Sequence, residues 1–218
     1  MKKQRYEYKQ QAKQILEGKY TNIIVITIII SIVSGLFSSG NFNFQNANFG
    51  ARLLSIITFA LSAGFTFGTT KMYIGLVNDV NPEIEDILLV GFKNNYVRSL
   101  VTSLLQALYT FLWSLLFIIP GIIKAYAYSM AFYLLNKEPE LQASDAITKS
   151  KEYMNGHKMD IFLLQLSYIG WFILSIFTFG ILLLWVMPKL LTAQTLMYDE
   201  IYLEKNPVKE VKEEPVFE

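Results

Sequence analysis

Cysteine is absent from the 218 residues, and histidine occurs once, at His157. Disulfide frameworks, thiolate nucleophiles and Cys/His zinc sites therefore fail on ligand count alone. Charge is also sparse: Asp, Glu, Lys and Arg make up 17% of the chain, against roughly a quarter in a soluble domain. Carboxylates are missing from the interiors of the apolar runs. Asp160 lies at the edge of one, without a second acid beside it for general acid and base work. No glycine-rich phosphate loop follows a strand. These shortages argue against an enzyme and imply no cofactor and no metal.

What the chain has is apolar length, with 53% of its residues hydrophobic. Uncharged windows run from Tyr20 to Ala51, Leu53 to Thr70, Ser99 to Ile123 and Ile161 to Pro188. Each can supply the roughly 20 helical residues that cross a hydrocarbon core. The expected fold is all-α, a polytopic transmembrane helical bundle with six spans at about 22–39, 53–77, 98–119, 122–136, 160–179 and 181–199. The polar, basic start and the poor small-x-small match at Ser38-Ser39-Gly40 make the first run a retained span, not a cleaved signal. Six basic residues fall in 1–21, three in 71–98, four in 136–159 and three in 190–218, leaving only Arg52, Lys124 and Lys189 elsewhere. Because positive charge favours the cytoplasmic side, both termini are expected there.

An internal repeat organises these spans. AKQILEGKYTN, EDILLVGFKNN and KSKEYMNGHKM each carry an apolar-periodic helix into a glycine, Gly18, Gly91 or Gly156, with a lysine one or two residues later and the next span beyond. Three hairpin units result, about 1–80, 81–137 and 138–203, forming one transmembrane domain followed by a disordered cytoplasmic tail at 204–218. Asn81-Pro82-Glu83 supplies a helix start ahead of Ile84, Ile87 and Leu88. In the third unit Ala143, Ile147, Ser150 and Met154 share a face, and Gly156 suits a left-handed helix end. These amphipathic helices are expected to lie in the membrane interface. The five positive charges of MKKQRYEYKQQAK attract anionic headgroups at the cytoplasmic face, by up to about 1 kcal/mol per basic residue. The partner implied is the lipid bilayer and not nucleic acid.

Several residues are candidates for more than architecture. Pro120-Gly121 is read as a tight turn between the third and fourth spans, since residues 99–119 already give about 32 Å of helix. Lys189 has two readings. If the last span begins near Ile181 it lies roughly 12 Å into the membrane and marks a functional site. If Pro188 marks the outer boundary it snorkels at the surface, the preferred reading because proline suits a helix start. Lys124 with Tyr126 and Tyr128 offers a polar, aromatic rim for an anionic headgroup, although Tyr and Lys are also ordinary anchors at that depth. His157 reads as a solvated loop residue, and the outer loop GNFNFQNANFG as one whose phenylalanines dip into the interface. Gly64, Gly68 and Gly75 read as helix-packing positions.

LLFIIPGIIKAYAYSMAFYLL, with DAITKSKEYMNGHKMDIFLLQLSYIGWFILSIFTFGI, closely resembles the bacterial integral membrane family known as domain of unknown function 975, found mainly in Gram-positive bacteria. The resemblance covers the chain from the first span to about Tyr202. It implies a bacterial plasma-membrane location and supplies no activity. A looser similarity is to the membrane domain accompanying some glycerophosphodiester phosphodiesterases, whose catalytic domain has no counterpart here. The function expected is a non-enzymatic lipid-associated or protein-interaction module of the plasma membrane. The alternative is a small-solute or lipid transporter, suggested by repeats and proline-interrupted spans.

Overall fold

The computed structural model describes residues 4–21, 23–28, 49–80, 89–93, 95–116 and 118–207. The described residues fold as helices, with no strand among them. In chain order these are α1 (Arg5–Leu16), α2 (Phe49–Val77), α3 (Tyr96–Leu116), α4 (Ile118–Tyr128), α5 (Ala131–Lys137), α6 (Ala143–Tyr153), α7 (Lys158–Leu166), α8 (Ile169–Phe177) and α9 (Leu183–Lys205). Most of the first expected span, the helix start at 81–88, the loop at 40–48 and the tail from 208 lie outside the described residues.

Local chemistry explains several boundaries. At the start of α1, the Gln4 and Glu7 side chains reciprocally cap each other's backbone amides, satisfying donors that a helix N-terminus leaves free. Asp145 opens α6 and Lys151 closes it, each at the end whose partial charge it complements. Gly18 and Gly156 follow α1 and α6 with φ of 76° and 89°, the left-handed backbone that glycine adopts cheaply. Gly91 belongs to a different class. A Cβ there would stand 2.0 Å from the Gly64 carbonyl oxygen, so this glycine permits close backbone contact. Phe92 beside it meets Phe65 edge-on at 5.1 Å and stacks on Tyr96 at 5.6 Å.

α3 and α4 form an antiparallel hairpin. The Gln106 amide donates to the Tyr128 carbonyl, Tyr109 meets Tyr128, and the Lys124 ammonium sits 4.3 Å over the Trp113 ring. Pro120 and Gly121 lie inside α4, so the pair occupies the start of the returning helix and is not itself the corner. Its glycine has a packing cause, since a Cβ at Gly121 would lie 2.9 Å from Ser114 Cα.

Two of the expected spans are broken. The stretch 122–136 divides at Ser129-Met130 because Ser150 of α6, fully buried, enters the gap. Its hydroxyl donates to the Ala127 carbonyl at 2.9 Å and accepts the Met130 amide at 3.2 Å. The stretch 160–179 divides at Ser167-Tyr168, where the Lys9 ammonium donates to the Ser167 carbonyl at 3.2 Å. α7 and α8 with this break form Lys158–Phe177, the one stretch among the described residues that is long and apolar enough to cross a membrane. Six spans are therefore not what the described helices display. α9 begins at Leu183 and carries Pro188 in its interior, so proline does not open it. It also runs past the expected tail boundary to Lys205, and Asn206 is hydrogen-bonded to the Tyr153 hydroxyl at 3.0 Å.

The core joins helices distant in sequence. Tyr8 and Ala12 of α1 pack with Met130, Tyr133, Met154, Leu164, Ala193 and Met197. Leu16 packs with Ile23, Ile26, Met72, Tyr73 and Leu76. The apolar face of α6 is likewise buried, through Ala143, Ala146, Ile147 and Tyr153. The amphipathic faces of α1 and α6, expected to meet lipid at the interface, are thus occupied by protein.

Candidate functional site

Neutral polar side chains close a ring at the centre of the bundle. Tyr126 of α4 donates its hydroxyl to Gln165 Oε1 of α7 at 2.7 Å. The Gln165 amide donates to Gln194 Oε1 of α9 at 3.2 Å, and the Gln194 amide donates to the Tyr198 hydroxyl one turn on. Tyr198 donates to Ser129 Oγ at 2.8 Å, and Ser129 donates back to the Tyr126 carbonyl at 2.9 Å. Every member is both bonded and oriented, the condition under which a buried polar network is stabilising. The break at Ser129 is what lets this serine face α9.

Beside the ring lies a chamber of about 190 Å³. Thr66, Thr69, Thr70 and Tyr73 of α2 form one wall; Leu191, Gln194, Thr195 and Tyr198 of α9 form the other; Ser129, Phe132 and Tyr133 close it. None of these residues is charged. An open groove of about 520 Å³ between α2 and the α3–α4 hairpin shares Thr66, Ser129 and Phe132 with the chamber and adds Ser62, Ser103, Gln106 and Thr110.

Charge gathers at the last turns of α9. Tyr8 donates to Glu200 at 2.6 Å and Tyr133 to Asp199 at 2.6 Å, while Lys137 pairs with Asp199 at 2.8 Å. Burial pushes the Tyr8 phenol up, and its bond to Glu200 acts the same way. Nearby, Lys149 meets Glu138 at 2.6 Å. Burial pulls this lysine down, but the hydrogen bond and charge of Glu138 outweigh it, and the net shift is upward. Arg98 donates from Nε to the Leu141 carbonyl at 2.9 Å and from Nη2 to the Glu138 carbonyl at 3.1 Å, tying the α5–α6 loop to α3. His157 is 9% exposed and stands 3.9 Å from Asp160 and 3.7 Å from Glu204. It is a packed residue between two acids, contrary to the solvated loop position expected of it.

A third concavity, a groove of about 730 Å³, lies between α1 and α7. Arg5 and Lys9 line it with Gln4, Tyr6 and Tyr8, opposite Asp160, Leu163, Leu166 and Ser167. Lys9 also lies 4.5 Å over the Tyr168 ring. Burial, then the neighbouring Arg5, pushes its ammonium down from the ordinary lysine value.

The four residues expected to mark a polar membrane site are dispersed. Tyr126 belongs to the ring. Tyr128 is buried against Tyr109 and lines the open groove. Lys124 covers Trp113, and Lys189, half-buried within α9, sits 5.8 Å over the Tyr20 ring. Sequence reasoning missed Gln165, Gln194, Tyr198 and Ser129. Of these only Gln165 lies in one of the long uncharged windows; Ser129, Gln194 and Tyr198 sit in the shorter uncharged stretches between Lys124 and Lys137 and between Lys189 and Asp199.

The described fold is that of a helical bundle closed over an uncharged polar ring, with acidic residues of its last helix paired near that helix's end. The chain belongs to the family described as Protein of unknown function (DUF975), whose model matches residues 1–127 and 115–205. No curated protein and no solved structure matches it.

Proposed function

We propose that the protein is a non-enzymatic, multi-pass membrane protein of the bacterial plasma membrane that holds an anionic phospholipid against the groove between α1 and α7. The observation that carries this reading is the continuity of that groove with an exposed apolar track. Arg5 and Lys9 offer two cations one helical turn apart, suited to a phosphate. From the groove, Leu166, Ile169, Ile173 and Ile176 follow at helical spacing and are 43%, 52%, 54% and 73% exposed. Leu166 to Ile176 spans about 15 Å of helix, a length that an acyl chain can lie along. A membrane setting is further supported by burial of only 22% of the apolar window in Lys158–Phe177. Leu115, Ile119, Phe177, Phe179 and Ile181 are more than 60% exposed, apolar area that a water-soluble surface rarely presents. The acid Asp160 on the far wall restricts a phosphate to the α1 side.

The test uses full-length protein in nanodiscs that mix phosphatidylcholine with phosphatidylglycerol. Membrane fractions should retain the protein through alkaline carbonate washing, and the lipid carried into detergent should be enriched in phosphatidylglycerol. Arg5→Gln with Lys9→Gln should remove the enrichment without releasing the protein from membranes. Equal enrichment in the double variant would refute the groove, and release by carbonate would refute the membrane reading itself.

A further inference from the structure

We infer that the chamber between α2 and α9 is a binding site for a small, uncharged, hydroxyl- or amide-bearing solute. This goes beyond lipid association and does not depend on it. The chamber holds about six waters' worth of volume at roughly 30 Å³ each, the size of a molecule of a few heavy atoms.

Its hydrogen-bonding character follows from how its walls are already bonded. Thr66, Thr69, Thr70 and Thr195 donate their hydroxyl protons to carbonyls of their own helices, at Ser62, Phe65, Thr66 and Leu191, over 2.8–2.9 Å. Each hydroxyl has one proton and two lone pairs, so these four threonines offer the chamber acceptors. Gln194 uses one amide hydrogen on Tyr198 and its oxygen on Gln165, which leaves its second amide hydrogen as a donor. The wall therefore matches a solute rich in donors that also carries an acceptor, as polyols and small amides do.

Charge complementarity narrows the class. No lining residue bears a charge, and an ion stripped of water without a partner of opposite sign pays a much larger desolvation cost than a neutral polar group. Anions and organic cations are therefore disfavoured. A purely apolar occupant would leave the threonine oxygens and the Gln194 donor facing nothing. The groove that adjoins the chamber across Thr66, Ser129 and Phe132 continues the neutral polar lining through Ser62, Ser103 and Gln106, providing a route of the same chemistry from the surface.

Because the chain lacks cysteine, Thr70→Cys places a single reporter in the chamber. The purified full chain in detergent would be labelled with methyl methanethiosulfonate, a small neutral thiol reagent, in the presence of glycerol, glycerate or ethanolammonium. Labelling should slow about tenfold when glycerol stands at ten times its half-protecting concentration. Glycerate and ethanolammonium should leave the rate unchanged at the same concentrations. Thr195→Val, which removes an acceptor but keeps side-chain shape, should weaken protection by glycerol, and a control reporter at exposed Ser144→Cys should not be protected. Thr69→Cys is the second reporter should Thr70→Cys fail to fold. Protection by either ion equal to that by glycerol, equal protection at position 144, or no protection by glycerol at either chamber reporter would each overturn the assignment.

Discussion

Three glycines separate three physical roles, and replacing each with alanine should give three different outcomes. At Gly91 a Cβ would lie 2.0 Å from the Gly64 carbonyl oxygen, 2.7 Å from its carbonyl carbon and 2.9 Å from its Cα. All three atoms are backbone, so no rotamer change relieves the clash and α2 must move away from the 89–93 turn. Overpacking ordinarily costs 1–3 kcal/mol, and a backbone clash of this depth belongs at about 3 kcal/mol or above. For a chain of this size that corresponds to a fall in melting temperature of roughly 6–12 °C. At Gly18 no atom of the described residues lies within 4 Å, but φ is 76°, so alanine should cost about 1–2 kcal/mol from backbone conformation alone. Gly170 lies in α8 with no atom of the described residues within 4 Å and no positive φ. Alanine there should stabilise by about 0.5–1 kcal/mol. The measurement is thermal unfolding of the detergent-solubilised variants, followed by helical circular dichroism. Gly91→Ala melting with the parent protein while Gly18→Ala falls would show that the α2 contact is not held in solution.

Three further outcomes follow from single side chains. Ser150→Ala should leave the Met130 amide and the Ala127 carbonyl unpaired, costing about 1–3 kcal/mol per buried group; an unchanged melting temperature would mean the helix break does not depend on this serine. Thr192→Val should raise the melting temperature, because the Thr192 hydroxyl is buried without a partner among the described residues and a same-shaped apolar group avoids a penalty of about 1–3 kcal/mol; a fall would show that the hydroxyl is bonded. Lys149 has a folded-state pKa above its ordinary 10.5, so its contribution is complete below that pH and lost as pH climbs through the raised value. The gap in melting temperature between the parent and Lys149→Met should therefore narrow above pH 10.5; a constant gap would refute the ion pair as its source.

Local features were legible in the sequence where one short segment determines them. The apolar face through Ala143, Ile147, Ser150 and Met154 is buried as its spacing required, and Gly156 has the left-handed backbone that its place after α6 called for. The misreadings came from contacts across long separations. Ser150 interrupts a helix more than twenty positions earlier, and no property of 122–136 alone predicts that insertion. His157 is buried because Glu204 and Asp160 come to it, and Pro120-Gly121 was taken as a corner because the approach of Ser114 cannot be read from spacing. The ring was hidden for the same reason, its links joining residues 29, 39 and 69 positions apart.

Polarity along α9 ties these contacts to one physical cause. Its first turns, Leu183 to Val186, are apolar; Gln194, Thr195 and Tyr198 are polar but neutral; the acidic Asp199, Glu200 and Glu204 are partners of Lys137, Tyr8 and His157. Uncharged amides and hydroxyls can be satisfied inside a bundle by one or two bonds each, whereas carboxylates need cations or phenols close by and benefit from water. The helix therefore runs in the order apolar, neutral and charged along its length. Lys189 interrupts that order, and Tyr20 is the feature that makes its position tenable. The aromatic face 5.8 Å from its ammonium supplies a cation–π contact, which strengthens as water is removed. The helical residues after α1 thus do for Lys189 what Trp113 does for Lys124 and Tyr168 for Lys9. Lys9, Lys124 and Lys189 each lie over an aromatic ring, so none of the three has to be read as a catalytic or transport charge.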